Sequence, residues 1–332
     1  MTDQTTILDM LESAGQARTA RRRFIRLCGG AAAMAGSLSL LSACDDDNDG
    51  QPGAGPTPTP APTPTPTAVT DVDILNFALS LEYLEGAYYN QAAFGQTVGS
   101  SLTTGVGTQG AVTGGRQVTF TDPIVADYAR EIAYDEVAHI RFLRTALGSA
   151  AVAQPALNIA GDATGAFTAA ARAAGVIGAN ETFDPYANDE NFLLGAYLLT
   201  DVGVTAYRGS ARLITNKTFL EASAGILATE CYHDAAIRST LWAKGLTRSA
   251  IYTNVTKISD TRDGLDGPTD TDQDIGNATT ANIVPADPNG LTLGRTAPQV
   301  LNVVYQNRAA VSAGGFFPAG VNGNIRTSAA NG

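Results

Sequence analysis

Thr229-Glu230-Cys231-Tyr232-His233 lies in an apolar run of helical spacing and sets a carboxylate and an imidazole three residues apart. Residues at i and i+3 share one helix face, so Glu230 and His233 can be offered to a single cation. Asp135-Glu136-Val137-Ala138-His139 repeats the arrangement. The chain has only two histidines, and each closes a Glu-x-x-His. Two helices carrying such pairs, facing each other in a bundle, can hold two metals.

The apolar spacing around each pair defines its helix. Phe219, Ile226, Glu230, His233, Ile237 and Leu241 form one stripe, on a helix from about Thr218 to Lys244. Val125, Tyr128, Ile132, Glu136, His139, Leu143 and Leu147 form another, after Thr121-Asp122-Pro123, a capping residue with proline in the first turn. Two further stripes predict partner helices. Leu75, Ala78, Glu82, Glu85 and Tyr89 belong to a helix that starts at Asp71 or Asp73. Leu193, Ala196, Thr200, Gly203 and Tyr207 belong to one from about Glu190 to Ile214. The two histidine helices superpose at an offset of 94 and the other two at 118, so the chain reads as two related helical hairpins.

The connections differ in length. Val112 to Val118, in the Gly/Thr-rich segment after the first helix, is expected to turn as a small hairpin. Gly148 to Asp189 is a long crossover with a short Ala-rich helix from Ala163 to Ala174. The expected fold is all-α, a four-helix bundle over residues 71–245 with one long crossover. Residues 246–332 are expected to form an irregular C-terminal extension with a short helix that packs on it. Its acidic stretch Asp260 to Asp274 lacks EF-hand spacing and reads as a solvated loop, and Trp242 reads as core.

Residues 1–44 read as an export signal. Arg21-Arg22-Arg23-Phe24-Ile25-Arg26 matches the twin-arginine pattern, and the run from Leu27 to Leu41 is too short and too rich in Gly and Ala for a membrane span. Leu41-Ser42-Ala43-Cys44 matches a lipobox, with Cys44 as the acylated residue; the alternative is an uncleaved anchor. Residues 45–70 hold an acidic cluster and seven of the fifteen prolines, a composition that favours an extended tether over a core. The expected location is a membrane surface facing the periplasm or cell exterior, reached by the twin-arginine route. Removing residues 1–44 takes away five of 21 basic and three of 32 acidic side chains, leaving 16 against 29. That balance opposes nucleic-acid binding and suits cations. Only Cys231 then remains as an ordinary thiol, so no internal disulfide can form.

Leu75-Asn76-Phe77-Ala78-Leu79, Leu81-Glu82-Tyr83-Leu84-Glu85, Asp135 to His139, Asp201-Val202-Gly203-Val204-Thr205-Ala206-Tyr207 and Glu230 with His233 resemble the ferritin-like desiccation-related protein family. Asn282 to Asp287, Val300 to Tyr305 and Gly315-Phe316-Phe317-Pro318 are similar to its C-terminal segments. The resemblance spans residues 71 to 324 and implies a carboxylate-bridged di-metal centre, two Fe ions or Mn. In that scheme Glu136 and Glu230 bridge, His139 and His233 each take one ion, and Glu82 caps one end. The family carries a glutamate immediately before the Asp-Val-Gly; this chain has Thr200.

Three repairs are open: Asp201 supplies the carboxylate, unless it pairs with Arg208 or orients a histidine; or Glu85 does; or the site holds one metal or none. Tyr89 and Tyr207 either relay protons and electrons or pack with their hydroxyls bonded. Asp135 either orients the ring of His233 or faces solvent. The metal reading implies redox chemistry on dioxygen or peroxide, since oxygen-rich ligands suit Fe or Mn better than zinc. The rival reading is a metal-free scaffold that protects the envelope during drying. A lipid tether and long loops oppose a closed cage.

Overall fold

Thr70 opens the first helix through a reciprocal capping box: its hydroxyl accepts from the Asp73 N–H, and the Asp73 carboxylate accepts from the Thr70 N–H. This helix, α1 (Asp71–Phe94), stops at Gly95, whose φ of 65° only glycine adopts without strain. The computed structural model describes residues 68–331; Arg21, Arg22, Cys44 and most of the 45–70 tether lie outside them. Asp122 and Pro123 start α2 (Pro123–Leu147) as the capping signal predicts. The crossover carries α3 (Ala166–Ala173), and Asn188 caps α4 (Asp189–Ala211). Asn216 caps α5 (Lys217–Gly245) after a short link. α1 packs chiefly on α2, and α4 on α5, which gives the two expected hairpins. No helix among the described residues is long and apolar enough to cross a membrane.

α1 departs from the one-stripe expectation, because every residue from Ile74 to Tyr89 is buried. Loops cover its outer face. The Asn76 amide donates to the Ala150 carbonyl and accepts from the Val152 N–H, and the Tyr83 hydroxyl donates to the carbonyls of Leu102 and Val152. A helix enclosed on all sides needs its polar residues satisfied internally, and Glu82 and Glu85 lie in this stretch.

Residues 112–118 do not fold back as a hairpin. Val112–Thr113 (β1) pairs in parallel with Leu157–Asn158 (β2), so the first loop runs along the crossover. Gly114, at φ 83°, makes this possible: a Cβ there would stand 2.4 Å from the Ala160 Cα. The glycines serve a close approach of two loops rather than a turn.

The C-terminal extension is more regular than its composition suggests. It contains α6 (Ala250–Asp266) and α7 (Ala297–Tyr305), with the two-residue strands β3 (Gly276–Asn277) and β4 (Thr280–Ala281) between them. Asp260 to Asp274 is not a solvated loop: Asp266 and Asp272 are buried, held by Arg262 and Arg295. Arg262 Nη2 also reaches Asp201 of α4 at 2.5 Å, and Arg238 Nη1 of α5 reaches the same carboxylate at 3.0 Å. All three guanidinium groups are buried, so an ionic cluster joins the extension to the bundle. Trp242 is half-buried rather than core, and its ring N–H donates to Asn277.

Candidate metal centre

Glu136 and Glu230 face each other across the bundle from α2 and α5, at 0% and 1% exposure. Each offers one oxygen to each imidazole. Glu136 Oε2 lies 3.7 Å from His139 Nδ1 and its Oε1 lies 3.2 Å from His233 Nδ1. Glu230 Oε1 lies 3.3 Å from His139 Nδ1 and its Oε2 lies 4.0 Å from His233 Nδ1. None of these four oxygens makes a hydrogen bond, and neither does His233 Nδ1. Lone pairs that approach this closely without pairing are aimed at a shared point. Buried polar atoms are rarely left so.

α1 adds Glu82, whose Oε2 lies 3.1 Å from His139 Nδ1 and whose Oε1 accepts from the Tyr207 hydroxyl at 2.5 Å. Ligand atoms of Glu82, Glu136, His139 and Glu230 all fall within 4.8 Å of one another. On the other side, Asp135 Oδ2 lies 3.3 Å from His233 Nε2. This contact holds the ring with Nδ1 turned inward, the support a metal-bound imidazole ordinarily has. The Tyr89 hydroxyl shares a 3.3 Å contact with the Thr200 hydroxyl.

Asp201 is not brought to the centre, although the sequence offered it as a ligand. Burial alone would raise its carboxyl, but Arg238 and Arg262 override this and hold it below the usual range. A carboxylate paired with two buried guanidinium groups has no free oxygen for a metal. Thr200 Oγ1 donates to the Ala196 carbonyl at 2.5 Å, so α4 presents no acid to the cluster. Glu85 does lie there, buried, with Oε2 unpartnered. Sequence reading missed that Arg238 and Arg262 anchor Asp201. One signal was present: Asp234 and Arg238 stand i, i+4 on an apolar helix.

Glu82, Glu136, His139 and Glu230 fit a metal ion. Burial, then the charges of Glu230 and Glu82, raise Glu136 to about 7; burial, then Glu230, Glu136 and Glu82, push Glu85 well above the usual range. Burial would lower His139, but Glu82 chiefly outweighs it and the ring is raised well above its ordinary value. His233 rises to about 10 because its carboxylate partners, Asp135 first, outweigh burial. Without a metal these groups share protons in place of cations. Metal entry therefore releases protons. Glu136 carries one below about pH 7 and not above, so affinity is expected to rise from about pH 6 to 8, with fewer protons released at the upper end. Calorimetry in buffers of different ionisation enthalpy checks this; an affinity flat across that range contradicts it.

A ferritin-like domain model matches residues 70–243. A desiccation-related protein of Craterostigma plantagineum is 28% identical over 264 residues, 75% of this chain and 82% of that protein. A ferritin-like catalase of Nesocodon mauritianus is 27% identical over 271 residues, 77% of this chain and 84% of its own. No solved structure matches. With two helical hairpins around paired Glu-x-x-His motifs and a family match over most of the bundle, the chain belongs to the ferritin-like domain family.

Proposed function

We propose that this protein holds two Fe or Mn ions between Glu136 and Glu230 and uses them for redox chemistry on peroxide or dioxygen, as stress protection at a membrane surface. The observation that carries the reading is the pair of glutamates, each presenting one unpaired oxygen to each histidine. Glu82, Glu136, His139, Glu230 and His233 are the proposed ligands. When bound, the pair supplies reversible electron transfer in an oxygen-rich ligand set that suits Fe or Mn. The relative named a ferritin-like catalase supports peroxide as the oxidant, and the one named desiccation-related supports a role under stress.

The chain's own groups prepare this site in three ways. The Tyr207 hydroxyl fixes Glu82 Oε1 and leaves Oε2 to face His139. Asp135 faces His233 Nε2, so that once the proton shared with Glu136 is displaced by a metal, Nδ1 turns its lone pair inward. Val125, Ile132, Ile140, Leu143 and Ile237, all buried, line the same bundle core and exclude bulk water from the carboxylates. Arg21 and Arg22 support twin-arginine export, and Cys44 supports lipid anchoring.

Protein purified from membranes is expected to contain transition metal, to change absorbance when Fe(II) added anaerobically meets peroxide, and to evolve oxygen. Cys44→Ser is expected to shift it to the soluble fraction. Absence of bound transition metal in natively exported protein would sink the reading. Thr200, bonded to Ala196 and Tyr89 where the internal repeat expects a ligand, favours a second reading as a metal-free protective scaffold. If Glu136→Ala and Glu230→Ala leave survival of drying unchanged, the scaffold reading prevails.

A further inference from the structure

We propose that the metal position beside His233 is completed by Glu85, so that α1 supplies the terminal carboxylates of both positions and α4 supplies none. The proposal rests on the di-metal reading above. The two ends of the centre are unequal without it. Beside His139, four ligand groups converge: Glu82, Glu136, His139 and Glu230. Beside His233 there are the imidazole and the second oxygens of Glu136 and Glu230. The internal repeat places Thr200 where Glu82 has its counterpart, and the Thr200 hydroxyl is already committed to Ala196 and Tyr89. Its neighbour Asp201 is committed to Arg238 and Arg262.

Glu85 stands one turn after Glu82 on the same face of α1 and is 6% exposed. Its Oε2 has no hydrogen-bond partner. Its Oε1 and Glu230 Oε2 both approach Gly203 of α4: a Cβ on that residue would lie 2.7 Å from the first and 3.3 Å from the second. The two carboxylates therefore converge on the hollow that Gly203 leaves. Glycine inside a helix is destabilising by roughly 0.5–1 kcal/mol relative to alanine. Here an alanine methyl would occupy the space of the Glu85 carboxylate. A buried carboxyl with an unpaired oxygen is costly, and a cation between Glu85, Glu230 and His233 removes that cost.

The ends also differ in rigidity. Tyr207 ties Glu82 in place, whereas Glu85 Oε2 has no such tie. The His233-side ion is therefore the weaker bound and the first to exchange.

Mn(II) titration of the metal-free full chain tests this, with stoichiometry from elemental analysis and coupling from electron paramagnetic resonance. The wild type is expected to take two ions with a spin-coupled spectrum. Glu85→Gln is expected to keep one uncoupled ion and to weaken the second by at least about tenfold, the lower end of what even supporting residues contribute. Gly203→Ala, which leaves every acid in place, is expected to do the same; it carries the test if Glu85→Gln does not fold. Two ions at wild-type affinity in the folded variants overturn the Glu85 assignment and leave the di-metal reading standing. A wild-type chain that holds one ion or none overturns both.

Discussion

Glu136→Gln is expected to move the metal-bound and metal-free proteins in opposite directions. Glu136 presents an oxygen to each histidine, so its loss is expected to weaken both positions of the proposed centre at once. The fall in affinity is expected to reach at least about 100-fold, the upper end of what outer partners alone contribute. In the metal-free protein the same change stabilises. The carboxyl is fully buried and raised from 4.5 to about 7, by burial first and then by Glu230 and Glu82. An acid whose folded value is raised destabilises the fold above that value and has no such effect below its unfolded one. The gap corresponds to on the order of 3 kcal/mol. At about pH 8 the metal-free variant should therefore melt several degrees above the wild type, and at about pH 4 the advantage should vanish. Thermal melts with and without chelator check both halves. A variant that melts below the wild type in both states would remove Glu136 from the centre.

The second large effect is expected outside the candidate metal centre, at Arg262. Its guanidinium reaches Asp201 at 2.5 Å, Asp272 at 2.7 Å and the Tyr197 carbonyl at 2.5 Å, and it lies 4.4 Å from the centroid of the Tyr197 ring. Arg262→Met keeps much of the volume and leaves those acids short of a partner. Breaking a buried ion pair from one side costs about 3–5 kcal/mol, which for a domain of this size is a fall in Tm of roughly 6–20 °C. The loss should concentrate in the extension. Limited proteolysis is expected to cut between α6 and α7 in the variant while the far-ultraviolet helical signal of the bundle persists. A Tm within a degree of the wild type would mean that Arg238 and Arg295 carry the cluster without it.

The two hairpins were legible because each rests on residues that recur at three and four. Glu136, His139, Glu230 and His233 follow the same spacing as Ile132 and Ile237 around them, and all are buried as that spacing requires. One cap was readable: Asp122, ahead of Pro123, accepts from the first turn of α2, whereas Thr70 and Asn216, which cap α1 and α5, were not picked out. Periodicity gives a face and not a partner, which is where Asp201 went astray. Its guanidinium partners stand 37 and 61 residues further along the chain. The helix α6 was hidden for a related reason. Ile251, Val255 and Ile258 have helical spacing, but the stripe continues through Arg262 and Asp266, charged residues that read as solvent-facing and are buried here only because they find each other. Glu85 lay in between: its stripe was visible, while the room made for it by Gly203 belongs to another helix.

The buried ionic cluster also imposes an order of events during synthesis. Asp201 and Arg238 belong to the bundle, while Arg262, Asp272 and Arg295 belong to the extension. A ribosome adding roughly 5–20 residues per second needs about 3–11 seconds to pass from Arg238 to Arg295. Through that interval four helices of the bundle are available to collapse and Asp201 can pair with Arg238, yet that pair still lacks Arg262 and the carbonyls of Gln273, Asp274, Asn282 and Ile283. The polar partners of the cluster are therefore complete only once the extension through Arg295 has been made.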